Sequence, residues 1–217
     1  MRRWLWVLRT LPAPARRWAV RRLLESRAAR RGRLEQALAG AQGRLVFVCH
    51  GNIMRSAFAT EIAREAQPAL AARIVGAGTH ATTGRAAQDS ALRVAPAFGV
   101  SLHGHTATSL QVAAIGAHDV VVCMDVMNEA NVLASGVPAE RVFLVGDVLA
   151  VTQGPATDGP ASGGPTPAGR EVLDPYGKGD TVTHDAFGTL AQLARHWAVH
   201  FAAGQRENAP RFMDGNP

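Results

Sequence analysis

At 217 residues, 47% of them hydrophobic, the chain is long enough for one well-packed domain with a small appendage. Residues 1–40 hold eleven Arg against Glu25 and Glu35, so of the formal charge of +6 the remainder, residues 41–217, carries −3; basicity belongs to a tail, and no nucleic acid is expected as a partner of the domain. Two cysteines exclude a disulfide framework and a cysteine metal cluster and fit a reducing cytoplasm, and no apolar run approaches the roughly 20 residues of a spanning helix.

Residues 1–40 read as a basic, mostly helical extension interrupted at Leu11-Pro12-Ala13-Pro14. The apolar stretch at residues 4–8 is too short for a secretory leader, and serine is too scarce for an organellar transit peptide. Trp18, Leu23, Leu24, Leu34 and Leu38 recur at loosely helical spacing, with arginines on the other faces. Three readings stay open. The segment is a solvated helix capping the domain, or it lies on an anionic membrane surface and makes a cytoplasmic protein membrane-peripheral, or it binds nucleic acid or a partner protein.

From residue 44 the pattern alternates strand and helix. Residues 45–48 form an unbroken apolar run suited to a buried parallel strand. A helix over 56–66 must stop near Pro68, and a second strand covers 73–77. A helix over 88–95 is cut short by Pro96 and Gly99, and a third helical piece spans 108–115. Residues 119–124, DVVVCM, make the clearest central strand, followed by a helix over 127–134 and a strand over 141–145. Residues 150–170 are rich in Gly, Pro, Ala and Thr and read as a flexible surface insertion, after which a long helix runs over 183–203. The expected architecture is an α/β three-layer sandwich with a four-stranded parallel sheet flanked by helices. Its bounds are 41–207, with 1–40 as the extension and 208–217 as a C-terminal tail.

The chemistry is concentrated in residues 45–56, LVFVCHGNIMRS. A Cys followed six residues later by Arg is weak evidence by itself; with this much arginine, chance supplies it roughly one time in five. The setting is what counts. An apolar strand ends at Cys49, a Gly51-Asn52 pair makes a turn and tolerates left-handed backbone, and a helix opens at Arg55-Ser56. The amides of His50, Gly51, Asn52, Ile53 and Met54 then curve into a ring at a helix N-terminus, where they hold an oxyanion. That setting favours a thiolate at Cys49, ready for in-line attack on phosphorus. Arg55 offers two parallel N–H donors to phosphate oxygens, a geometry lysine lacks. Ser56 sits where its hydroxyl can donate to the sulfur. A phenolate leaving group also needs a proton, and Asp174-Pro175-Tyr176 lies between the insertion and the last helix, where an acid can reach over the loop. Tyr176 can line the entrance and stack on an aromatic substrate.

These residues resemble the low-molecular-weight protein tyrosine phosphatase family, as a divergent bacterial member matched from about residue 44 to residue 203. The strongest block is VFVCHGNIMRS; Ala77-Gly78-Thr79, His103-Gly104-His105, Val122-Cys123-Met124-Asp125 and Asp174-Pro175-Tyr176 follow in the family's order. The resemblance implies metal-free and cofactor-free phosphomonoester hydrolysis through a phosphocysteine. By position it makes Cys49 the nucleophile, Arg55 the phosphate ligand and Asp174 the general acid, with Asn52, Ser56 and His105 bracing the loop. It further implies a phosphotyrosine-containing protein as partner, with tyrosine kinases of exopolysaccharide export as one class.

Departures from the family pattern bear on efficiency and substrate. Met54 stands where most members have a second cysteine, so Cys49 lacks a neighbouring thiol to protect it from over-oxidation. Ala57 replaces the usual proline, Gly76 the usual serine before Ala77-Gly78-Thr79, and Gly177 a second aromatic. A catalytically weak module that holds phosphorylated partners therefore stays open as an alternative. Ile53 suits a phenyl ring, whereas relatives acting on phosphoarginine carry a small hydroxyl residue there; phosphoarginine is the second substrate reading. Relatives that reduce arsenate share the loop and need further cysteines for a thiol relay; Cys123 reads as a buried core thiol, which argues against that activity. His50 lies at the pocket mouth; His80, His118 and His184 show no ligand spacing, and His196 and His200, at i and i+4, read as an exposed helix face, so no metal is expected.

Overall fold

The computed structural model describes residues 25–149 and 171–207. The expectations placed on residues 1–24, on the insertion 150–170 and on the tail 208–217 lie outside the described residues. Four apolar runs form β1 (Leu45–Cys49), β2 (Ile74–Gly78), β3 (Val120–Cys123) and β4 (Val142–Leu144). All pairings are parallel, in the order β2-β1-β3-β4, with Leu45 beside both Ile74 and Val120 and Val122 beside Phe143.

The central strands are covered on both faces, which is why β1 and β3 are continuous runs of Val, Leu, Phe and Cys with no polar alternation. Successive side chains still point to opposite faces and feed two cores. Leu45, Phe47 and Cys49 join the larger core with Ile74, Val120 and Val122, while Val46, Val48, Val121 and Cys123 join the smaller one. The larger core is closed by α2 (Arg55–Ala66), through Phe58 and Ile62, and by the long α6 (Gly179–Glu207), through Phe187, Leu190, Trp197 and Phe201. The smaller is closed by α4 (Leu110–Ala113) and α5 (Val126–Ala134), through Leu110, Val132 and Leu133. Cys49 and Cys123 therefore lie in different cores on opposite sides of the sheet, as expected for a core thiol at Cys123.

Helix α1 (Arg27–Ala39) is capped by Ser26 and packs Leu34, Ala37 and Leu38 into the larger core. Arg33 donates to the carbonyl oxygens of Ala139 (3.4 Å) and Val142 (3.1 Å), and its guanidinium stands 4.4 Å over the Phe143 ring. Arg141 returns a bond to the Ala37 carbonyl at 3.0 Å. For residues 27–39 the apolar face is thus occupied by the domain, and the exposed face is the polar one.

Boundaries shift where the backbone turns left-handed. Helix α3 (Asp89–Val94) gives way to a tight 3₁₀ turn over Ala95–Phe98, which ends at Gly99 with φ 83°. Helix α4 is a single turn because Ala114 adopts φ 44°, shorter than the expected 108–115. Helix α6 starts at Gly179, four residues ahead of expectation.

Candidate active site

Parallel strands direct ligand chemistry to their carboxyl ends, and Cys49 is the last residue of β1. Beside it is Gly78, where a Cβ would stand 2.8 Å from the His50 carbonyl oxygen and 2.9 Å from the Asn52 nitrogen. Only glycine lets the loop fold back this tightly. The turn is made by Asn52, fully buried with φ 50°. Of the Gly51-Asn52 pair expected to take left-handed backbone, only Asn52 does so, because its side chain is anchored on both ends. Its Oδ1 accepts the Thr108 amide (2.9 Å) and its Nδ2 donates to Ser56 Oγ (2.9 Å), while its carbonyl oxygen accepts His105 Nε2 (2.7 Å). The structure brings Asn52, Ser56 and His105 together.

Ser56 Oγ lies 3.0 Å from Cys49 Sγ and 3.2 Å from the Ala77 carbonyl oxygen. A hydroxyl has one proton to give, so two patterns compete. With a thiol at Cys49, the S–H donates to Ser56 and the hydroxyl bonds Ala77. With a thiolate, the hydroxyl turns to the sulfur, where the Asn52 amide also donates at 3.3 Å. The amides of Gly51, Ile53, Met54 and Arg55 donate to no protein group among the described residues, and Met54, the N-cap of α2, supplies no side-chain cap. The loop is a set of unspent donors at a helix start.

Arg55 is 2% exposed at the head of α2. Its Nη1 donates to Asp125 (2.8 Å) and to the Val172 carbonyl (3.0 Å), and its Nη2 donates to Asp174 (2.8 Å). Its Nε–H is buried without a hydrogen-bond partner. A buried donor left open costs about 1–3 kcal/mol, so this one marks a place for an acceptor. Asp174 belongs to a turn in which its Oδ1 accepts the Tyr176 amide (3.2 Å) and Lys178 bonds the Pro175 carbonyl (3.0 Å). The missing second aromatic has a cause here, since Gly177 takes φ 71°.

Cys49, His50, Gly51, Ile53, Met54, Arg55, Asp174 and Tyr176 share one cavity of about 310 Å³, together with His80, Thr82 and Arg85. Ile53 and Met54 show only their edges, being 6% and 3% exposed, while Tyr176 stands at the rim at 55%. The last three cavity residues escaped the sequence reading as site residues, as did Asp125. Asp125 Oδ1 caps α5 through the Asn128 amide (2.8 Å) while Oδ2 holds Arg55. An Asp directly after a strand signals a helix cap; nothing in its spacing announces a guanidinium partner. At Gly76, where the family pattern has serine, a Cβ would stand 2.8 Å from both Asn52 Nδ2 and Thr60 Oγ1. Thr60, bonded to the Ser56 carbonyl at 2.8 Å, fills the space a larger residue at 76 would need. Elsewhere, burial and the neighbouring His196 push the His200 imidazole below its ordinary range. Among the described residues, no three His, Cys, Asp or Glu converge on a point.

The sequence model of the family described as "Low molecular weight phosphotyrosine protein phosphatase" matches residues 44–207. The chain is 26% identical over 155 residues to the low molecular weight protein-tyrosine-phosphatase Etp of Escherichia coli K12, covering 71% of this chain and 91% of that one. It superposes on the tyrosine phosphatase Wzb of Escherichia coli K30 in complex with sulphate with a TM-score of 0.56 and 25% identity, covering 72% of this chain and 96% of the other. The YwlE arginine phosphatase from Geobacillus stearothermophilus matches with a TM-score of 0.57 at 22% identity over 76% of this chain and 96% of its own, a likeness of fold alone.

Proposed function

The chain belongs to the low molecular weight phosphotyrosine protein phosphatase family and is a phosphomonoester hydrolase of that kind; we propose that Cys49 is its nucleophile, Arg55 its phosphate ligand and Asp174 its general acid. The observation that carries this assignment is the buried, unpartnered Nε–H of Arg55 beside a loop of open amides. A phosphoryl dianion satisfies both at once. In the first step the Cys49 thiolate attacks phosphorus in line, the phosphorus–oxygen bond to the leaving group breaks, and Asp174 gives that oxygen its proton. In the second, Asp174 takes a proton from water, the water oxygen attacks phosphorus, and the sulfur leaves as a thiolate held by the Ser56 hydroxyl and the Asn52 amide. Substrate entry must draw Asp174 away from Arg55 toward the leaving oxygen. Asp125, bonded to the same guanidinium, keeps it in place during that exchange.

The substrate we favour is a phosphotyrosine side chain on a protein, with a tyrosine kinase of exopolysaccharide export as one candidate class. Ile53 supports the aromatic choice, being an apolar branched side chain on the cavity wall. We assign residues 41–207 to the phosphatase domain, with 150–170 as an insertion, 1–40 as a basic extension and 208–217 as a tail. Among the described residues, no helix is long and apolar enough to cross a membrane, and the peripheral contact we keep open is through the basic extension, residues 1–40, of which residues 27–39 set their apolar face on the domain. A reducing, cytoplasmic setting suits a thiol nucleophile. Purified protein is expected to hydrolyse p-nitrophenyl phosphate with no added metal, and Cys49→Ser is expected to abolish that turnover. Comparing kcat/KM for phosphotyrosine and phosphoarginine peptides decides the substrate: faster phosphoarginine turnover would overturn the aromatic reading.

A further inference from the structure

Arginine is common in this chain, so one exposed guanidinium carries little weight alone. Exposed or half-exposed arginines of the folded body mostly find an acid: Arg31 with Glu35, Arg64 with Glu61 and Arg93 with Asp180, each at 2.8 Å. Arg85 differs. It is exposed, it lines the catalytic cavity, and its guanidinium has no ion pair among the described residues. Its backbone is nonetheless fixed. Arg85 N donates to the Thr82 carbonyl (3.1 Å), its own carbonyl accepts from Ala107 (2.8 Å), and Gly84 N donates back to Ala107 (2.8 Å). Ala86 is bridged to Thr106 in the same turn.

On the same cavity wall His50 and His80 stack, with ring centroids 4.5 Å apart and planes 18° from parallel. His80 Nδ1 and Thr79 Oγ1 stand 3.0 Å apart, which fixes that ring. Among the described residues, the one carboxylate lining the cavity, Asp174, is already paired with Arg55. Among the described residues, a permanent cation and two imidazoles thus form a lip without counter-charge, on a body whose own net charge is negative.

We propose that this lip, centred on Arg85, recognises a second anionic group close in sequence to the phosphotyrosine, either a carboxylate or another phosphoryl group. The proposal rests on the phosphatase reading. With the phosphoryl group seated in the loop, the polypeptide carrying it leaves the cavity across its rim, where a neighbouring anion meets the guanidinium in paired hydrogen bonds. A lysine or arginine at that place in the substrate is repelled by the same charge, so the lip also rejects.

The test uses Cys49→Ser protein, which holds substrate without turning it over, and three fluorescent phosphotyrosine peptides. Their residues next to the phosphotyrosine are alanines, acidic residues or a second phosphotyrosine; binding is read by anisotropy. Both anionic peptides are expected to bind about three- to tenfold more tightly than the neutral one, with the gap narrowing as salt rises. Adding Arg85→Ala is expected to erase the gap, and adding Arg85→Glu to invert it. A gain with the second phosphotyrosine alone supports the lip and names phosphoryl as its ligand. Equal binding of all three peptides, or a preference that survives Arg85→Glu, overturns the proposal. Release of phosphate from the same peptides by protein with Cys49 intact is scored separately, so the phosphatase reading can fail without the lip and the lip without it.

Discussion

The two halves of the active site are held in different ways. The loop from Cys49 to Ser56 is buried apart from His50 and Gly51 and is tied by its side chains and carbonyls to several elements: Asn52 to Thr108 and His105, Ser56 to Ala77, and Thr60 back to Ser56. The acid segment offers Asp174, its side chain 46% exposed, held by one local turn and by Arg55. The loop is built by the fold, and the acid is parked on the residue that phosphate must also use. Recruiting substrate and releasing the acid are therefore one event. Damage to the loop should slow every substrate and lower stability, whereas damage to the acid should depend on the leaving group and leave stability alone.

The largest contrast is expected from Asp174→Asn. Turnover of phenyl phosphate, a poor leaving group, should fall about 10²-fold, while p-nitrophenyl phosphate falls far less and the thermal midpoint hardly moves. Equal slowing of both esters would remove Asp174 from the acid role. A Gly76→Ser variant tests the loop side. The added side chain must displace Asn52 or Thr60, at about 1–3 kcal/mol of stability, and kcat should drop about tenfold for both esters. Introducing Thr60→Ala beside it should recover much of that loss, because it empties the competing space. No recovery would show that Thr60 does not occupy the position a serine needs. The smallest effect is expected from Asp125→Asn, since asparagine still caps α5 but holds Arg55 less firmly. A rise of about fivefold in KM with little change in stability is expected; a large fall in melting temperature would make Asp125 a structural cap only.

The same division explains what the sequence could convey. Strand and helix positions were legible because buried parallel strands are written as unbroken runs such as LVFVC and VVVC, and because Pro68, Pro96 and Gly99 punctuate the helices. Cys49, Arg55 and Ser56 were legible because a strand, a tight turn and a helix start are contiguous in the chain. Asp125, Thr60 and Arg85 were not, because what makes each matter is a neighbour brought in by the fold. Arg55 meets Asp125 across 70 positions, Gly76 meets Thr60 side by side in space, and Arg85 gains its meaning from the cavity it borders. The departures at Gly76 and Gly177 also gain a reason: at Gly76 the side chains of Asn52 and Thr60 crowd a Cβ, and at Gly177 a φ of 71° favours glycine.

The central claim is covalent catalysis by Cys49, and it is tested most directly by acid-quenching the enzyme during turnover of a phosphotyrosine peptide and mapping the protein by mass spectrometry. A phosphoryl group on the peptide containing Cys49 is predicted, accumulating further in a variant whose second step is slowed and vanishing in Cys49→Ser. Phosphate release that continues in Cys49→Ser, with no phosphoryl group found on Cys49 in the wild type, would contradict the account.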